Sequence, residues 1–326
     1  MAIRRAQVSI DRLRRRGEGR KTKAIPADET SCPRCGSQFG ADELRRNHRV
    51  CGACGHHFRV GGRERLDQLA GFRDWDELWP DMRAADPLRF TDLEPYVRRV
   101  EKAEGKGIGE ALIAGDLQID KVPCIAAAMD FGYLGGSMGS VVGEKLLRCC
   151  DRAVERRVPF VVVTTSGGAR MQEGVLALMQ MTKTIVGFEV LHDAGVPAIV
   201  VLAHPTTGGV WASFAALGDI TYAEPGALIS FSGPRVIEQT TREKLAPDFG
   251  LSETQLANGQ VDAVVDRREL NERIGRTMSI LSRDASAGPA PAVAWARDRA
   301  GQAARALPGF SRKFLSRVRR EEGEEV

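Results

Sequence analysis

With 326 residues, of which 43% are hydrophobic and 28% charged, the chain has the make-up of a globular protein with room for one large domain and a smaller module. Its formal net charge of +4 is small, and no apolar run approaches the roughly 20 residues that span a bilayer, which excludes a helical membrane anchor. The first residues lack the apolar core of a signal peptide and the seven cysteines fit a reducing compartment, so the expected location is the cytoplasm, with no membrane partner.

Residues 1–27 are expected to form a basic, flexible arm. Nine Lys or Arg fall within positions 1–24, against only Asp11 and Glu18. Such an arm is a solvated terminus or a contact for nucleic acid or an acidic partner. Residues 28–60 hold Cys32, Cys35, Cys51 and Cys54 as C-x2-C, fifteen residues, C-x2-C. Each pair makes a tight turn aiming two thiolates at one point, and two turns close a tetrahedron around Zn²⁺. Four thiolates leave no position for water, so a single structural zinc is expected, holding together a module too small to fold alone. His48, His56 and His57 are then surface residues or supports rather than ligands. Residues 61–107, with Leu66, Leu69, Phe72, Trp75, Leu78 and Trp79 among charges, read as a helical connector packed on the core.

From 108 to 284 the texture becomes βα alternation. Strand-like runs occur at 122–131, 158–165, 196–203, 227–231 and 261–265, with helical patterns clearest over Met171–His192 and Val236–Leu245. This alternation predicts an α/β fold with parallel strands. Cys124, Cys149 and Cys150 fall in apolar or helical contexts and are expected to be packing residues. Residues 285–326, rich in Ala, Pro, Gly and Arg, are expected to be a disordered tail.

The chemistry concentrates in three glycine pairs placed where apolar runs turn polar: Gly135-Gly136, Gly167-Gly168 and Gly208-Gly209. Glycine pairs let a backbone approach a ligand and present bare N–H groups, a site suited to an oxygen that gains negative charge. Gly135-Gly136-Ser137-Met138-Gly139 also fits G-x-S-x-G, so Ser137 is either a nucleophile served by His192 or His204, or a turn serine. Glu173 is either an acid–base or a carboxylate favoured by a helix dipole.

Together GGSMGSVVGEK, SGGARMQEG, PTTGG and GPRVIEQTTREKL, behind the cysteine pairs, make residues 28–283 resemble the β subunit family of bacterial acetyl-CoA carboxylase carboxyltransferase. The resemblance implies a crotonase-like (ClpP/crotonase) spiral of ββα units preceded by a four-cysteine zinc ribbon. It implies transfer of a carboxyl group from carboxybiotin, supplied on a carrier protein, to the CoA thioester acetyl-CoA, giving malonyl-CoA for fatty acid synthesis. Gly208 and Gly209 would form the oxyanion hole for the thioester oxygen. Gly167, Gly168 and Arg170 would shape the active-site wall, with Arg170 a phosphate contact or a structural ion pair. Gly135, Gly136 and Gly139 would line the CoA channel, while Met171, Met179 and Met181 would fill the core or a subunit interface. A separate α subunit would complete an α2β2 assembly, with biotin carboxyl carrier protein and biotin carboxylase as further partners of the ATP-dependent complex. The chain departs from that pattern at Trp211, His204 and Gly132, with Trp211 expected to affect the oxyanion hole most. The alternatives are a zinc-ribbon nucleic-acid-binding protein, a self-sufficient crotonase-type hydratase or decarboxylase, and a carboxyltransferase for a longer acyl-CoA such as propionyl-CoA.

Overall fold

The computed structural model describes residues 29–284; the expected basic arm (1–27) and the expected tail (285–326) lie outside them. The described residues divide at His56/His57 into two compact units. In the first, β1 (Glu29–Ser31) pairs antiparallel with β2 (Gln38–Gly40), and α1 (Ala41–Arg46) follows directly. Its apolar centre is little more than Phe39, Leu44 and Val50, too few to stabilise a fold without a cross-link or metal.

The second unit is built on an eight-stranded sheet in the order β10-β8-β7-β6-β5-β4-β3, with β9 paired to β7. Its strands are β3 (Asp76–Leu78), β4 (Leu112–Ile119), β5 (Val122–Met129), β6 (Phe160–Ser166), β7 (Ala198–Thr207), β8 (Ile220–Ala223), β9 (Ile229–Ser230) and β10 (Ala263–Val264). From β5 to β10 all pairings are parallel, as expected, but β3, β4 and β5 pair antiparallel. The turn joining β4 to β5 is the reason. Asp120 and Lys121 both have positive φ, 48° and 69°, and Ile119 faces Val122, a two-residue hairpin loop whose twist suits antiparallel strands.

Helices cover both faces. On one lie α4 (Ser140–Arg156) and α5 (Val175–Asp193), packed over Ile125, Ala127, Phe160, Val162, Val200 and Leu202. On the other, α2 (Gly62–Leu69) and α8 (Leu270–Asp284) pack over Cys124, Ala126, Val161, Val163, Ile199 and Val201. The two sets alternate along each strand, as the period of two requires. All seven residues of β6 are buried, the mark of a strand covered on both sides. The connector supplies α2, the edge strand β3 and α3 (Tyr96–Glu104), so it joins the sheet rather than only wrapping it. Between β9 and β10 lie α6 (Pro234–Thr241) and α7 (Ser252–Ala257). No helix among the described residues is long and apolar enough to cross a membrane.

Candidate active site and cysteine cluster

The four cysteines of the first unit converge. Their Sγ atoms all lie within 4.8 Å of one another, with Cys32–Cys54 at 3.6 Å and Cys35–Cys51 at 3.7 Å. Thiolates about 2.3 Å from one tetrahedral ion stand about 3.8 Å apart, so the spacing fits a metal, while a disulfide would need about 2.05 Å. Both C-x2-C pairs fold alike. Gly36 and Gly55, each just after the second cysteine, turn at φ 75° and 69°, and donate N–H to Cys32 O and Cys51 O, both at 2.9 Å. No side chain with a Cβ adopts that turn at low cost. Histidine adds nothing to the cluster. His57 belongs to the second unit, where its Nε2 lies 3.3 Å from Asp266 Oδ2 and its Nδ1 3.7 Å from Glu224 Oε2. Glu224 there is buried between Arg65 and Arg267. Burial alone would raise its pKa, but the two guanidinium groups hold it well below the carboxylate range.

In the second unit the three glycine pairs sit beyond the C-terminal ends of neighbouring parallel strands β5, β6 and β7, so the sheet order stacks them side by side. Gly167 N–H donates to Gly135 O (2.9 Å), while Met138 and Arg170 bridge the loops through Met138 N–H to Gly168 O (2.8 Å) and Arg170 N–H to Met138 O (2.9 Å). A Cβ on Gly208 would stand 2.9 Å from Gly168 Cα, and one on Gly168 3.3 Å from Gly208 Cα. These two backbones therefore touch, which only glycine at both positions permits.

Few of the glycine N–H groups are available to a ligand. Gly136 donates to Tyr133 O (2.8 Å), Gly168 to Ser166 Oγ (2.9 Å) and Gly208 to Ser230 O (3.2 Å). Gly209 N–H makes no hydrogen bond among the described residues. Half-buried Gly209 opens a helical turn closed by Ala212 N–H to Gly208 O (3.0 Å), so its N–H is one of the orphan donors of a helix start. Met181 and Ala169 flank it: a Cβ at 209 would lie 3.1 Å from Met181 Sδ and 3.6 Å from Ala169 Cβ.

Other expected site residues lie behind this surface. Arg170 is fully buried and is a structural ion pair, not a phosphate contact. Its Nε donates to Ser137 Oγ (3.2 Å), Nη1 to Tyr96 OH (3.1 Å) and Glu173 Oε1 (3.1 Å), and Nη2 to Ser137 O (2.8 Å) and Glu110 Oε1. Gly139 does not line a channel; it is buried because a Cβ there would run into Glu173 and Arg170. Gly136 is buried for a similar reason, against the carbonyl oxygen of Thr165. Gly135 is half-buried and Gly167 exposed, so these two remain at the surface of the loop stack.

Ser137 is held by Arg170 at both its Oγ and its carbonyl, so the serine-nucleophile reading fails. Of its expected bases, His204 accepts the Leu228 N–H on Nδ1 (3.2 Å), and His192 lies in the last turn of α5. Glu173 is no free acid–base either, nor does it serve its own helix. It accepts from Tyr96 OH (2.8 Å) and from both Ser140 N–H and Oγ (2.6 Å each), holding the N-terminus of α4. Burial raises its pKa, but the Ser140 bonds and Arg170 outweigh that and keep it below the usual range. Cys124 and Cys149 are buried, and desolvation raises both thiols to about 12. Met171 and Met179 are exposed on the α5 side, whereas Met181 packs at the glycine loops. Trp211 is half-buried against the core, and Gly132 leaves the room that Ile108 and Asp130 occupy. Tyr96, Glu110, Ser140 and Ser230 are partners that no local motif marks.

A model of the carboxyl transferase domain matches residues 83–305. The acetyl-coenzyme A carboxylase carboxyl transferase subunit beta of Pelobacter propionicus is 46% identical over 256 residues, 78% of this chain and 90% of its own length. The protein of the same name from Thermus thermophilus is 45% identical over 276 residues, 84% of this chain and 96% of its own. Among solved structures, transcarboxylase 12S with methylmalonyl-coenzyme A bound superposes with a TM-score of 0.56 at 26% identity, over 68% of this chain and 41% of that one. These relatives favour the carboxyltransferase over the nucleic-acid-binding reading, and their fold is the expected crotonase-like α/β type. The chain belongs to the family of acetyl-coenzyme A carboxylase carboxyl transferase beta subunits, enzymes built on the carboxyl transferase domain.

Proposed function

We propose that this chain performs the carboxyl-transfer step of acetyl-CoA carboxylation, taking the carboxyl group from carboxybiotin on a carrier protein and giving malonyl-CoA. The observation that carries the reading is the stack of glycine loops with Gly209 N–H uncommitted beside the Gly168–Gly208 contact. In this reading carboxybiotin loses its N–CO₂ bond to release CO₂, and the freed ureido nitrogen takes a proton from the acetyl methyl group. The enolate then attacks CO₂, and its oxygen rests on the N–H of Gly209 beside Gly208. One such donor is worth roughly 3 kcal/mol in a site closed to water. Because biotin nitrogen moves the proton, no side-chain base is required, in keeping with the locked states of Glu173 and Ser137.

A partner is part of the proposal: a separate α subunit with a second oxyanion hole, in an α2β2 assembly served by the carrier protein and biotin carboxylase. The chain spans 41% of the transcarboxylase 12S chain, in line with half of a two-domain site. A face of α5 supplies a surface for the partner, with Val175, Leu178, Met179 and Val186 exposed. The ion in the cysteine cluster is proposed to be Zn²⁺, held by Cys32, Cys35, Cys51 and Cys54. It supplies cross-linking and no Lewis-acid chemistry, since four thiolates close its sphere. A second reading, an acyl chain one methyl longer, is the less favoured one: transcarboxylase 12S carries methylmalonyl-coenzyme A at 26% identity, whereas relatives at 45–46% identity are named for acetyl-coenzyme A.

The test is transfer from malonyl-CoA or methylmalonyl-CoA to free biocytin, with the partner subunit present. Transfer from malonyl-CoA, leaving acetyl-CoA, in preference to methylmalonyl-CoA supports the first reading, and preference for methylmalonyl-CoA, leaving propionyl-CoA, the second. No transfer from either contradicts both.

A further inference from the structure

We infer that Tyr96 and Glu173 are positioning residues, which set the Gly209 N–H through the buried Arg170. The inference rests on the oxyanion role proposed for Gly208-Gly209 and adds a device that holds it in place. The loop 167–170 is gripped on two sides. On one side Gly168 packs on Gly208, and Ala169 packs toward Gly209. On the other, the Arg170 guanidinium reaches Glu110 at the entry to β4, Ser137 in the loop after β5, Tyr96 at the start of α3, and Glu173. Glu173 then ties this group to the N-terminus of α4 through Ser140.

Tyr96 is the element that crosses the network. Its hydroxyl receives the Arg170 Nη1 proton (3.1 Å) and gives its own to Glu173 Oε1 (2.8 Å), with the residue wholly buried. Arg170, Glu110 and Glu173 are each less than a tenth exposed, so a lost bond is not replaced by water at no cost. Removing the hydroxyl takes one bond from the guanidinium and one from Glu173, and a guanidinium drawn toward its remaining partners Glu110 and Ser137 carries Ala169 and Gly168 with it. A displacement near 1 Å at a donor costs about 100-fold in rate. The network is buried away from the surface a substrate would meet, so substrate affinity is expected to stay nearly constant while turnover falls.

The experiment compares wild type with Tyr96→Phe and Glu173→Gln, each assembled with the partner subunit, in malonyl-CoA-dependent carboxylation of biocytin. The expected result for Tyr96→Phe is a kcat lower by roughly 10- to 100-fold with KM for malonyl-CoA changed less than about twofold. Affinity for a nitronate analogue of acetyl-CoA, which carries a fixed negative oxygen, falls by the same factor, while affinity for acetyl-CoA does not. Glu173→Gln, which keeps an amide oxygen toward Ser140, retains more activity than Glu173→Ala. An active wild type with unchanged kcat in Tyr96→Phe overturns the positioning role, and so does equal loss of acetyl-CoA and nitronate binding. If both Tyr96→Phe and Glu173→Gln fail to fold, the network is a folding element and the inference is wrong. A partner-bound wild type without transfer sinks the carboxyl-transfer reading itself.

Discussion

Gly209 differs from its neighbours in what its backbone is free to do. Gly208 lies at φ 62° against Gly168 and has spent its N–H on Ser230, so any side chain there breaks the loop before it tests chemistry. At Gly209 no positive φ intervenes, and the atom nearest a new Cβ is the flexible Met181 Sδ. Gly209→Ala therefore keeps the N–H at little steric cost and is expected to lose less than about tenfold in turnover. Gly209→Pro removes the N–H and breaks no hydrogen bond among the described residues, so a loss of about 100- to 1,000-fold is expected. Single-turnover transfer to biocytin measures both; equal losses would mean that shape, not the donor, matters. A second residue-level expectation concerns acid. Glu224 and Glu173, with an ordinary value of 4.5, bind their protons more weakly folded than unfolded. Their contribution to stability is full above about pH 5 and shrinks as pH falls through their lowered values. Denaturant midpoints from neutral pH to about pH 3, followed by fluorescence of Trp75, Trp79 and Trp211, are expected to hold and then drop. A midpoint that rises on acidification would contradict the sign.

At the scale of elements, the cysteine unit is held by its cross-link rather than by its core. Cys35→Ser, or chelation of the native protein, is expected to release one metal ion and unfold that unit, with the sheet unit intact by circular dichroism. Metal content by mass spectrometry checks it, and full metal retention would refute the tetrahedral set. This unit is readable because each cysteine pair and the glycine turn after it, Gly36 or Gly55, fall within five residues. The central strands are readable for a related reason: β6 and β7 carry β-branched stretches at 161–165 and 199–201 within apolar runs. β4 was not, since Gly115 and Asp116 interrupt its apolar pattern. Its hairpin to β5 was hidden too, because Asp120-Lys121 lacks the glycine that usually marks such a turn. The helical pattern over 171–192 runs as one piece in the sequence, whereas Gly174, at φ 53°, separates a short 3₁₀ turn from α5. The glycine pairs were visible as positions, but which N–H stays free depends on Ser230 and Gly135, contributed by other loops. Arg170 read equally as a ligand contact or an ion pair because its partners, Glu110 and Tyr96, lie 60 and 74 residues away.

In the whole molecule, enolate formation and biotin release together need two stabilised oxygens; one is proposed to rest on the Gly209 N–H and the other on a partner chain seated on the exposed apolar face of α5. The decisive measurement is malonyl-CoA-dependent carboxylation of free biocytin by this chain alone and by this chain mixed with its cognate α subunit. Transfer only in the mixture is the expected result. Transfer by this chain alone would contradict the divided site, and silence in both, with the two subunits bound to each other, would contradict the carboxyl-transfer account.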